Sequence, residues 1–571
     1  MFRDLTEGRE PGLLAGEQML GAQAIVEALK AEGVPFVAGF PGQGTEKIIS
    51  VLHDTPEIQS ILTRHERVAM DIIDGYARVK GEPGVALASA GPGAAHAFAG
   101  LGQSASDCVP VLLLQGQVPQ RALGTDATQE MDILAAFRPV TKWQIRVNHV
   151  ERIPEVMRRA FTALRSGRGG PVVLELPRDV TEAEAPADKL AYRPVGRRYR
   201  SAPDPEDVGL AADILLGAKN PVIYAGAGVL WAEAWQELLA IAELLTIPVM
   251  TTLNGKSAFP EDHPLSLGLG GFPMSRLGTL QAYEVAKEAD VLLAVGNRFR
   301  PRATGDLPWP PDVKLIHVDV DPCEIGKVYP ADCALVGDAK LALGALLDAL
   351  RSWASPARQK PRDDILEQIA VLRKRWWDRL LPKMTSQEAP INPYRLTYEL
   401  MQTLDRRQTI MIHDAGFPRG HVSHVYESLI PRGYLGMGGQ SEMGWSLGAA
   451  MGAKLAQPEL LVVHVIGDGA FGMTGMDLET AVRCRIPILT ILSNNSSLGI
   501  TKSVIADGKY HMVELTGNYA QVAEGLGAYG ERVEDPNEIG PAIYRALDEL
   551  AQGRPALLEF ITAPWPMPSI K

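Results

Sequence analysis

The feature that most constrains this 571-residue chain is a strand–helix–strand segment near its C-terminal end. An apolar run, LLVVHVI, ends abruptly at Gly467-Asp468-Gly469 and predicts a buried strand. Apolar residues at helical spacing follow, and a second apolar run, PILTIL, leads into Ser493-Asn494-Asn495. Such a βαβ unit places both polar turns at the carboxyl edge of a parallel sheet, where these sheets bind ligands.

The residue types in the two turns indicate a site for a diphosphate and a metal ion. Gly467 and Gly469 allow backbone N–H groups to approach a phosphate closely. The Asp468 carboxylate and the Asn495 amide oxygen are hard ligands that suit Mg²⁺, together with a loop carbonyl and two diphosphate oxygens. The alternative is an ordinary strand–turn–helix with polar loop residues. A helix and a strand over residues 470–493 separate the two motifs, and this arrangement favours the ligand site.

Strand and helix alternate along the whole chain in three blocks, which predicts an α/β protein with three doubly wound parallel-sheet domains. The predicted domains are an N-terminal domain at 1–185, a central domain at 200–350 and a C-terminal domain at 375–571. Residues 181–205 are rich in Ala, Glu, Pro and Arg without a clear period and predict a linker. A second connection, at 352–392, holds a charged helix.

Composition and charge argue against several classes of function. Hydrophobic residues make up 46% and charged residues 22% of the chain, as in folded globular proteins. Lys and Arg number 56 against 68 Asp and Glu, and the resulting net charge of −12 disfavours a nucleic-acid or anionic-membrane partner. No apolar run is long enough to predict a membrane span. The N-terminus lacks a signal-peptide core and the four cysteines form no C-x-x-C pair, so we expect a cytoplasmic protein.

The GDG…NN unit resembles the motif of the thiamine diphosphate (ThDP) enzymes, the superfamily of pyruvate decarboxylase and acetolactate synthase. The resemblance implies that Asp468, the side chain of Asn495 and the backbone carbonyl of Ser497 ligate Mg²⁺. It also implies cofactor-binding roles for a set of small residues at turns: Gly42, Gly416, Gly469 and Ala470. ThDP and Mg²⁺ are therefore the expected cofactors.

Glu66 lies in Arg64-His65-Glu66-Arg67, at the predicted start of a helix with an apolar inner face. A partly desolvated carboxyl group at such an edge suits proton transfer. The alternative is a first-turn glutamate that is favoured only by the helix dipole. The run RHERVAMDIIDGYARVKGEPGVALASAGPGAAH resembles the family segment whose glutamate activates ThDP, which implies that role for Glu66.

Met443 follows a Gly-rich loop and precedes a helix, so it could simply fill the core. By the family motif it is the residue that holds ThDP bent, and the backbone of Ser441 and Met443 binds the pyrimidine edge. In this superfamily the glutamate segment and the GDG segment of one site come from different chains. The resemblance therefore implies a homodimer or a homotetramer with active sites between subunits.

The central block contains GNRFRPRATG, which begins at Gly296, and Val318-Asp319-Val320-Asp321. Both resemble the central domain of acetolactate synthases, where FAD lies, while oxalyl-CoA decarboxylases bind ADP in the comparable domain. We therefore predict FAD or ADP near Arg298 and Asp319, and the alternative is a central domain without a ligand.

The resemblance to acetolactate synthase catalytic subunits covers almost the whole chain. It implies a decarboxylase and carboligase acting on pyruvate or a similar 2-keto acid, with the Gln129 amide aimed at the reacting carbonyl and Arg298 or Arg302 at an acceptor carboxylate. Thr128, Val504 and an insertion at 270–274 depart from the family pattern near the substrate. The alternatives are a 2-hydroxyacyl-CoA lyase or oxalyl-CoA decarboxylase-type enzyme on an acyl-CoA thioester, and a non-catalytic paralogue.

Overall fold

Short apolar strands that end in glycine or polar turns build each of three parallel sheets. The computed structural model describes residues 17–196, 198–270, 278–300, 309–355, 362–504 and 511–564. The N-terminal strands are β1 Gln18–Leu20, β2 Phe36–Phe40, β3 Gln59–Leu62, β4 Gly84–Ala88, β5 Val111–Gln117, β6 Trp143–Arg146, β7 Val172–Pro177 and β8 Glu184–Pro186. The helices around them are α1 Gly21–Ala31, α2 Glu46–His53, α3 Glu66–Lys80, α4 Pro92–His96, α5 Phe98–Asp107, α6 Ile133–Phe137, α7 Ile153–Arg165 and α8 Arg178–Glu182.

The central domain follows the same alternation of strand and helix. Its strands are β9 Pro221–Ala225, β10 Val249–Thr251, β11 Ser266–Leu269, β12 Val291–Val295, β13 Lys314–Asp319 and β14 Cys333–Val336. Its helices are α9 Pro205–Gly217, α10 Ala227–Ala232, α11 Trp235–Leu245, α12 Leu280–Ala286 and α13 Ala339–Trp353. The predicted charged helix of the second connection is α14, Asp363–Met384, whose apolar side buries Ile369, Leu372 and Trp376.

The C-terminal domain holds the GDG…NN segment. Its strands are β15 Thr409–His413, β16 Tyr434–Leu435, β17 Leu461–Gly467, β18 Leu489–Asn494, β19 Tyr529–Val533 and β20 Ala556–Ile561. Its helices are α15 Pro393–Thr403, α16 Phe417–Val425, α17 Trp445–Ala456, α18 Asp468–Thr474, α19 Leu478–Arg483, α20 Gly499–Val504, α21 Tyr519–Gly525 and α22 Ile539–Ala551.

The strand orders reveal how the domains are related. The N-terminal sheet runs β3-β2-β4-β5-β7-β6 and the C-terminal sheet runs β16-β15-β17-β18-β20-β19, which is one topology used twice. The central sheet runs β11-β10-β9-β12-β13-β14, the order of a dinucleotide-binding fold. Neighbouring strands pair in parallel in all three sheets, so the predicted fold class is confirmed.

The prediction that residues 181–205 form a linker is partly wrong. This segment contains β8, which pairs in antiparallel fashion with β1. This three-residue strand has no periodicity that a sequence pattern could reveal. None of the helices in the described part of the chain is both long and apolar enough to cross a bilayer.

The N-terminal and C-terminal domains are joined by close packing of α3 against α17. A Cβ at Gly75 would lie 2.2 Å from the carbonyl oxygen of Ala449, and a Cβ at Gly452 would lie 1.9 Å from that of Ile72. Only glycine permits this backbone approach. The start of α3, at Glu66, therefore lies next to the loop before α17, which carries Met443.

We expect Gly452→Ala to destabilise the protein by about 1–3 kcal/mol, because its new methyl group meets backbone rather than a movable side chain. Gly344→Ala is the matched control: Gly344 lies inside α13 with open space at its Cβ position, and this change should stabilise by about 0.5–1 kcal/mol. Urea unfolding of both variants measures the difference. Equal effects at the two positions would contradict tight α3–α17 packing.

Candidate active site

The carboxyl edge of the C-terminal sheet brings the two polar turns together. Gly467 at the end of β17 lies directly beside Ser493 near the end of β18, in parallel register. Asp468 begins α18 immediately after Gly467, and Asn495 follows β18. The βαβ geometry predicted from the sequence thus positions both side chains at one edge.

Asp468 and Asn495 converge on one residue, Ser497. The Ser497 backbone N–H donates to Asp468 Oδ2 at 3.1 Å and to Asn495 Oδ1 at 3.0 Å. The Ser497 hydroxyl also donates to Asn495 Oδ1 at 3.1 Å. The three residues predicted to supply metal ligands therefore lie together.

The electrostatics of this cluster suit a cation. Burial raises the pKa of Asp468 to about 6, although backbone N–H groups, among them those of Gly469 and Ser497, oppose the increase. A carboxylate, an amide oxygen and a backbone carbonyl are the hard donors that Mg²⁺ prefers. The residues present therefore fit the metal that the motif implies.

The loop before α17 is held by Asp414, a fully buried carboxylate. Its Oδ1 accepts from the Gly444 backbone N–H and its Oδ2 from the Ser446 backbone N–H, both at 2.9 Å. Two residues later, Gly416 has a φ of 82° and precedes α16, a conformation that favours glycine. Asp414 thus ties the Gly416 turn to the loop that carries Ser441 and Met443.

The structure brings Met443 next to the GDG turn. The Met443 methyl carbon lies 3.6 Å from the position that a Cβ would take at Gly469, and Ala470 is buried immediately after it. The Ser441 hydroxyl accepts from the Arg419 guanidinium at 3.1 Å, and Ser441 has a φ of 56°. The predicted pyrimidine-edge residues and the predicted diphosphate residues therefore adjoin.

Glu66 begins α3 and is 7% exposed. Its Oε2 lies 3.0 Å from Nδ1 of His96 at the end of α4. The next residue, Arg67, donates to the Met443 carbonyl and pairs with Glu442 at 2.6 Å. Contacts within one chain therefore hold the Glu66 end of α3 against the Met443 loop.

The other predicted N-terminal residues lie at turns on the same domain. A Cβ at Gly42 would lie 2.6 Å from Ser89 Cβ, so the β2 and β4 turns approach each other there. The Gln129 side chain is exposed, and the Gln129 backbone carbonyl oxygen lies 2.4 Å from the position of a Cβ at Gly91. The structure thus places Gln129 against the turn that starts α4, but it does not direct the side chain into a buried site.

The central domain has a cleft where its strand order reverses. Gly226 follows β9 and Gly296 follows β12, and a Cβ at Gly226 would lie 2.2 Å from the Gly296 carbonyl oxygen. This switch point opens into a cavity of about 220 Å³. Its charged lining includes Arg168, Arg198, Arg298, Arg300, Asp319 and Asp338. Clustered guanidinium groups suit phosphates, and carboxylates suit ribose hydroxyls.

Arg298 and Asp319, both predicted from the sequence, line this cleft, and burial raises the pKa of Asp319. Arg298 donates to the Ser106 carbonyl at 2.7 Å. Arg302 and residues 271–274 lie outside the described part of the chain, as does the side chain of Val504. Where Arg302 and Val504 stand relative to a substrate therefore stays a prediction.

Sequence reasoning missed three residues that organise the site. His96 contacts Glu66, Arg67 connects α3 to the Met443 loop, and Asp107 binds both Arg300 and the Gly438 backbone N–H. His96 is the last residue of the GPGAAH run, in which the sequence indicated only a glycine turn. Each contact joins segments that are distant in sequence, so no local spacing could indicate it.

Known protein families account for all three domains. Residues 19–136 match the thiamine pyrophosphate enzyme N-terminal TPP binding domain, 208–346 the central domain and 414–560 the C-terminal TPP binding domain. Thiamine pyrophosphate is another name for ThDP. The two cofactor-binding matches fall on the domains that carry Glu66 and Asp468.

Curated relatives match over nearly the full length. A probable acetolactate synthase large subunit of Methanocaldococcus jannaschii is 37% identical, with 96% of this chain and 92% of the relative covered. The acetolactate synthase isozyme 3 large subunit of Escherichia coli is 34% identical, with 94% of each chain covered. The acetolactate synthase large subunit of Corynebacterium glutamicum is 34% identical, with 97% and 89% covered. The chain therefore belongs to the thiamine pyrophosphate enzymes, in the family of acetolactate synthase large subunits.

Proposed function

We propose that this chain is the catalytic subunit of an acetolactate synthase, which decarboxylates one 2-keto acid and joins the remainder to a second. The observation that carries the proposal is the convergence of Asp468 and Asn495 on Ser497, close to the Met443 side chain. Together with a Glu66 carboxyl group, which the proposed dimer supplies from the second subunit, this is the set of groups that a metal-anchored, bent ThDP requires. Pyruvate is the expected donor, in keeping with the names of the relatives.

When bound, ThDP supplies an electron sink for breaking the bond next to a carbonyl. In this proposal Asp468, Asn495 and the Ser497 carbonyl hold Mg²⁺. Glu66, which is buried at the start of α3, transfers a proton at its carboxyl oxygen. Gln129 orients the reacting carbonyl.

Purified protein supplied with ThDP, Mg²⁺ and pyruvate should release CO₂ and form acetolactate. A protein that binds ThDP but forms neither acetolactate nor acetoin from pyruvate would contradict the proposal. Oxalyl-CoA and a 2-hydroxyacyl-CoA, assayed in parallel by mass analysis, test the acyl-CoA alternative. The relatives' names favour the synthase over that alternative.

For the central cleft we propose an adenine nucleotide, FAD or ADP. The supporting features are the dinucleotide-fold strand order, the glycine approach at the switch point and the arginine-rich lining with Asp319. The absorbance spectrum of the purified protein distinguishes the two, because FAD adds a yellow flavin band and ADP does not. Acid extraction that releases neither nucleotide would contradict the assignment.

We also propose a homodimer, or a tetramer built from such dimers, with each active site between two subunits. Glu66→Gln and Asp468→Asn chains carrying different affinity tags can be coexpressed and the hybrid dimer purified through both tags. A hybrid has one site with both native residues if sites lie between subunits, so it should recover about half of the wild-type activity. An inactive hybrid would instead place Glu66 and Asp468 of one chain in the same site.

A further inference from the structure

We propose that Glu559 and Glu175 are positioning residues, each of which sets the geometry of one loop of the active site. Glu559 orders the turn that carries Asn495 and Ser497, and Glu175 orders the loop that carries Gln129. The proposal rests on the proposed function, because that function assigns the turn to Mg²⁺ and the loop to the substrate. Neither glutamate belongs to the GDG…NN unit.

The two glutamates occupy the same place in two sheets of the same topology. β20 is next to the edge strand of the C-terminal sheet, and β7 is next to the edge strand of the N-terminal sheet. Glu559 is the fourth residue of β20 and Glu175 the fourth residue of β7. Both are 0% exposed within one chain, and a partner subunit can only add to that burial. A buried carboxylate is costly unless it is paired, so its recurrence at one fold position indicates a common role.

The edge strand beside each glutamate supplies an arginine in register. Arg532 on β19 is the parallel-register partner of Glu559, and Arg146 on β6 is that of Glu175. The Arg532 guanidinium lies 3.8 Å from Glu559 Oε1, and the Arg146 guanidinium donates to Glu175 Oε2. Each arginine therefore offsets the charge of its glutamate from the same side.

The strand on the other side of each glutamate supplies an amide from its last residue. Asn494 ends β18 and Gln117 ends β5, and each lies two residues beyond the residue that pairs with the glutamate. Asn494 Nδ2 donates to Glu559 Oε1 at 2.7 Å, and Gln117 Nε2 donates to Glu175 Oε1 at 3.1 Å. One arrangement of arginine, glutamate and amide across three strands, the Arg–Glu–amide row, is thus built in both cofactor-binding domains.

In the C-terminal domain the amide end of the row shapes the metal turn. Because an ionised carboxylate only accepts hydrogen bonds, Glu559 fixes which end of the Asn494 amide faces the turn. Asn494 Oδ1 then accepts from the Ser496 backbone N–H at 2.9 Å. Ser496 has a φ of 52°, a left-handed conformation that a residue other than glycine adopts only when contacts hold it. This bend directs the Ser497 backbone N–H to Asp468 Oδ2 at 3.1 Å.

Glu559 also ties the metal turn to the helix that follows it in the chain. Glu559 Oε2 accepts from the Ala520 backbone N–H at 2.9 Å, in the first turn of α21. The neighbouring Tyr519 ring packs edge-on against Phe471, with centroids 5.7 Å apart, and Phe471 follows Ala470 in α18. Glu559 therefore closes a ring of contacts that runs from β18 through α21 to the GDG helix.

In the N-terminal domain the amide end of the row holds the Gln129 loop. Gln117 Oε1 accepts from the Val118 backbone N–H at 2.9 Å, and Gln117 Nε2 also donates to the Met131 carbonyl oxygen at 3.0 Å. These contacts hold both ends of segment 118–131, which contains Gln129. Glu175 accepts from the same Nε2, so it fixes the Gln117 amide in the orientation that both contacts need.

Exchange of the amide and the carboxylate tests the C-terminal row. In Glu559→Gln the new amide nitrogen faces either Asn494 Nδ2 or the Ala520 N–H, donor against donor, so the turn should loosen. Electron paramagnetic resonance with Mn²⁺ in place of Mg²⁺, in the presence of ThDP, should show about 10–100-fold weaker metal binding. In Asn494→Asp/Glu559→Gln the introduced glutamine donates to the introduced aspartate, so this double variant should recover most of the lost affinity.

Glu175→Gln is the matched variant, because it makes the same change at the same position of the other sheet. It should leave Mn²⁺ affinity at the wild-type value and lower kcat/KM for pyruvate by up to about 100-fold, through a misplaced Gln129. Hydrogen–deuterium exchange of the cofactor-free proteins gives a readout that does not depend on turnover. Exchange should become faster over residues 118–131 in Glu175→Gln and over residues 494–498 in Glu559→Gln.

A merely structural role for the two glutamates predicts a different pattern. Both variants would unfold at a lower temperature, but neither Mn²⁺ affinity nor local exchange would change. That result would overturn the proposal, as would a double variant that recovers no affinity. If Glu559→Gln does not fold, Asn494→Ala removes the same contact, and unchanged Mn²⁺ affinity in that variant would also overturn it. A wild type that binds ThDP and Mn²⁺ but turns over no 2-keto acid would instead refute the proposed function and leave the affinity and exchange results standing.

Discussion

Glu66→Gln is expected to lower kcat by about 10²–10⁴-fold, the range for a lost general acid–base group. Glutamine keeps the size and a hydrogen-bonding oxygen but cannot hold and release the proton. Because Glu66 is buried at the start of α3 and not in contact with the Asp468 cluster, ThDP and Mg²⁺ binding should change little. Steady-state kinetics and calorimetric titration of ThDP measure the two quantities separately.

The matched control is Glu206→Gln, which changes an exposed glutamate in the first turn of α9. Both substitutions remove a negative charge near a helix N-terminus, which costs about 0.3–1 kcal/mol of stability. If Glu66 served only the helix dipole, the two variants would behave alike and both would keep wild-type kcat. Such an outcome would remove Glu66 from the proposed mechanism.

Most inner strands of the three sheets could be predicted from the sequence, but β10, β20 and the edge strands were not predicted. β4, β5 and β7 are buried along their whole length, and each contains a run of at least three apolar residues. β3 and β6 lie at the two edges of the same sheet and are largely exposed or half-buried, so they lack an apolar run. Edge strands form because a neighbouring strand offers hydrogen bonds, which a local pattern does not record.

The candidate site likewise contains contacts that could be predicted from the sequence and contacts that could not. Asp468 and Asn495 could be placed together because one βαβ unit fixes both ends at the same sheet edge. The contact of Glu66 with His96 depends on how α3 and α4 meet, and that of Arg67 with Met443 depends on how two domains dock. Domain docking arises from complementary surfaces such as the Gly75–Ala449 approach, which no spacing in a single sequence specifies.

Asp468→Asn is expected to abolish activity at ordinary Mg²⁺ concentrations. Loss of an outer partner of a metal ligand already costs about 10–100-fold in affinity, so loss of the ligand's own charge should weaken Mg²⁺ binding at least about 100-fold. ThDP should bind more weakly as well, because the proposed site anchors its diphosphate through the metal. Titration of the variant with Mg²⁺ at fixed ThDP, followed by both activity and binding, measures the loss.

The variant also separates lost metal binding from lost folding. Burial disfavours the charged form of Asp468 in the metal-free protein, which offsets the one backbone N–H contact that an amide nitrogen cannot accept, so Asp468→Asn should lower the unfolding temperature only slightly. Added ThDP and Mg²⁺ should raise the unfolding temperature of the wild type but not that of Asp468→Asn, because only binding to the native state stabilises it. The control is Asp535→Asn, the same substitution at an exposed position that caps a short helix. It should respond to the cofactors as the wild type does, and an equal response from Asp468→Asn would place the metal elsewhere.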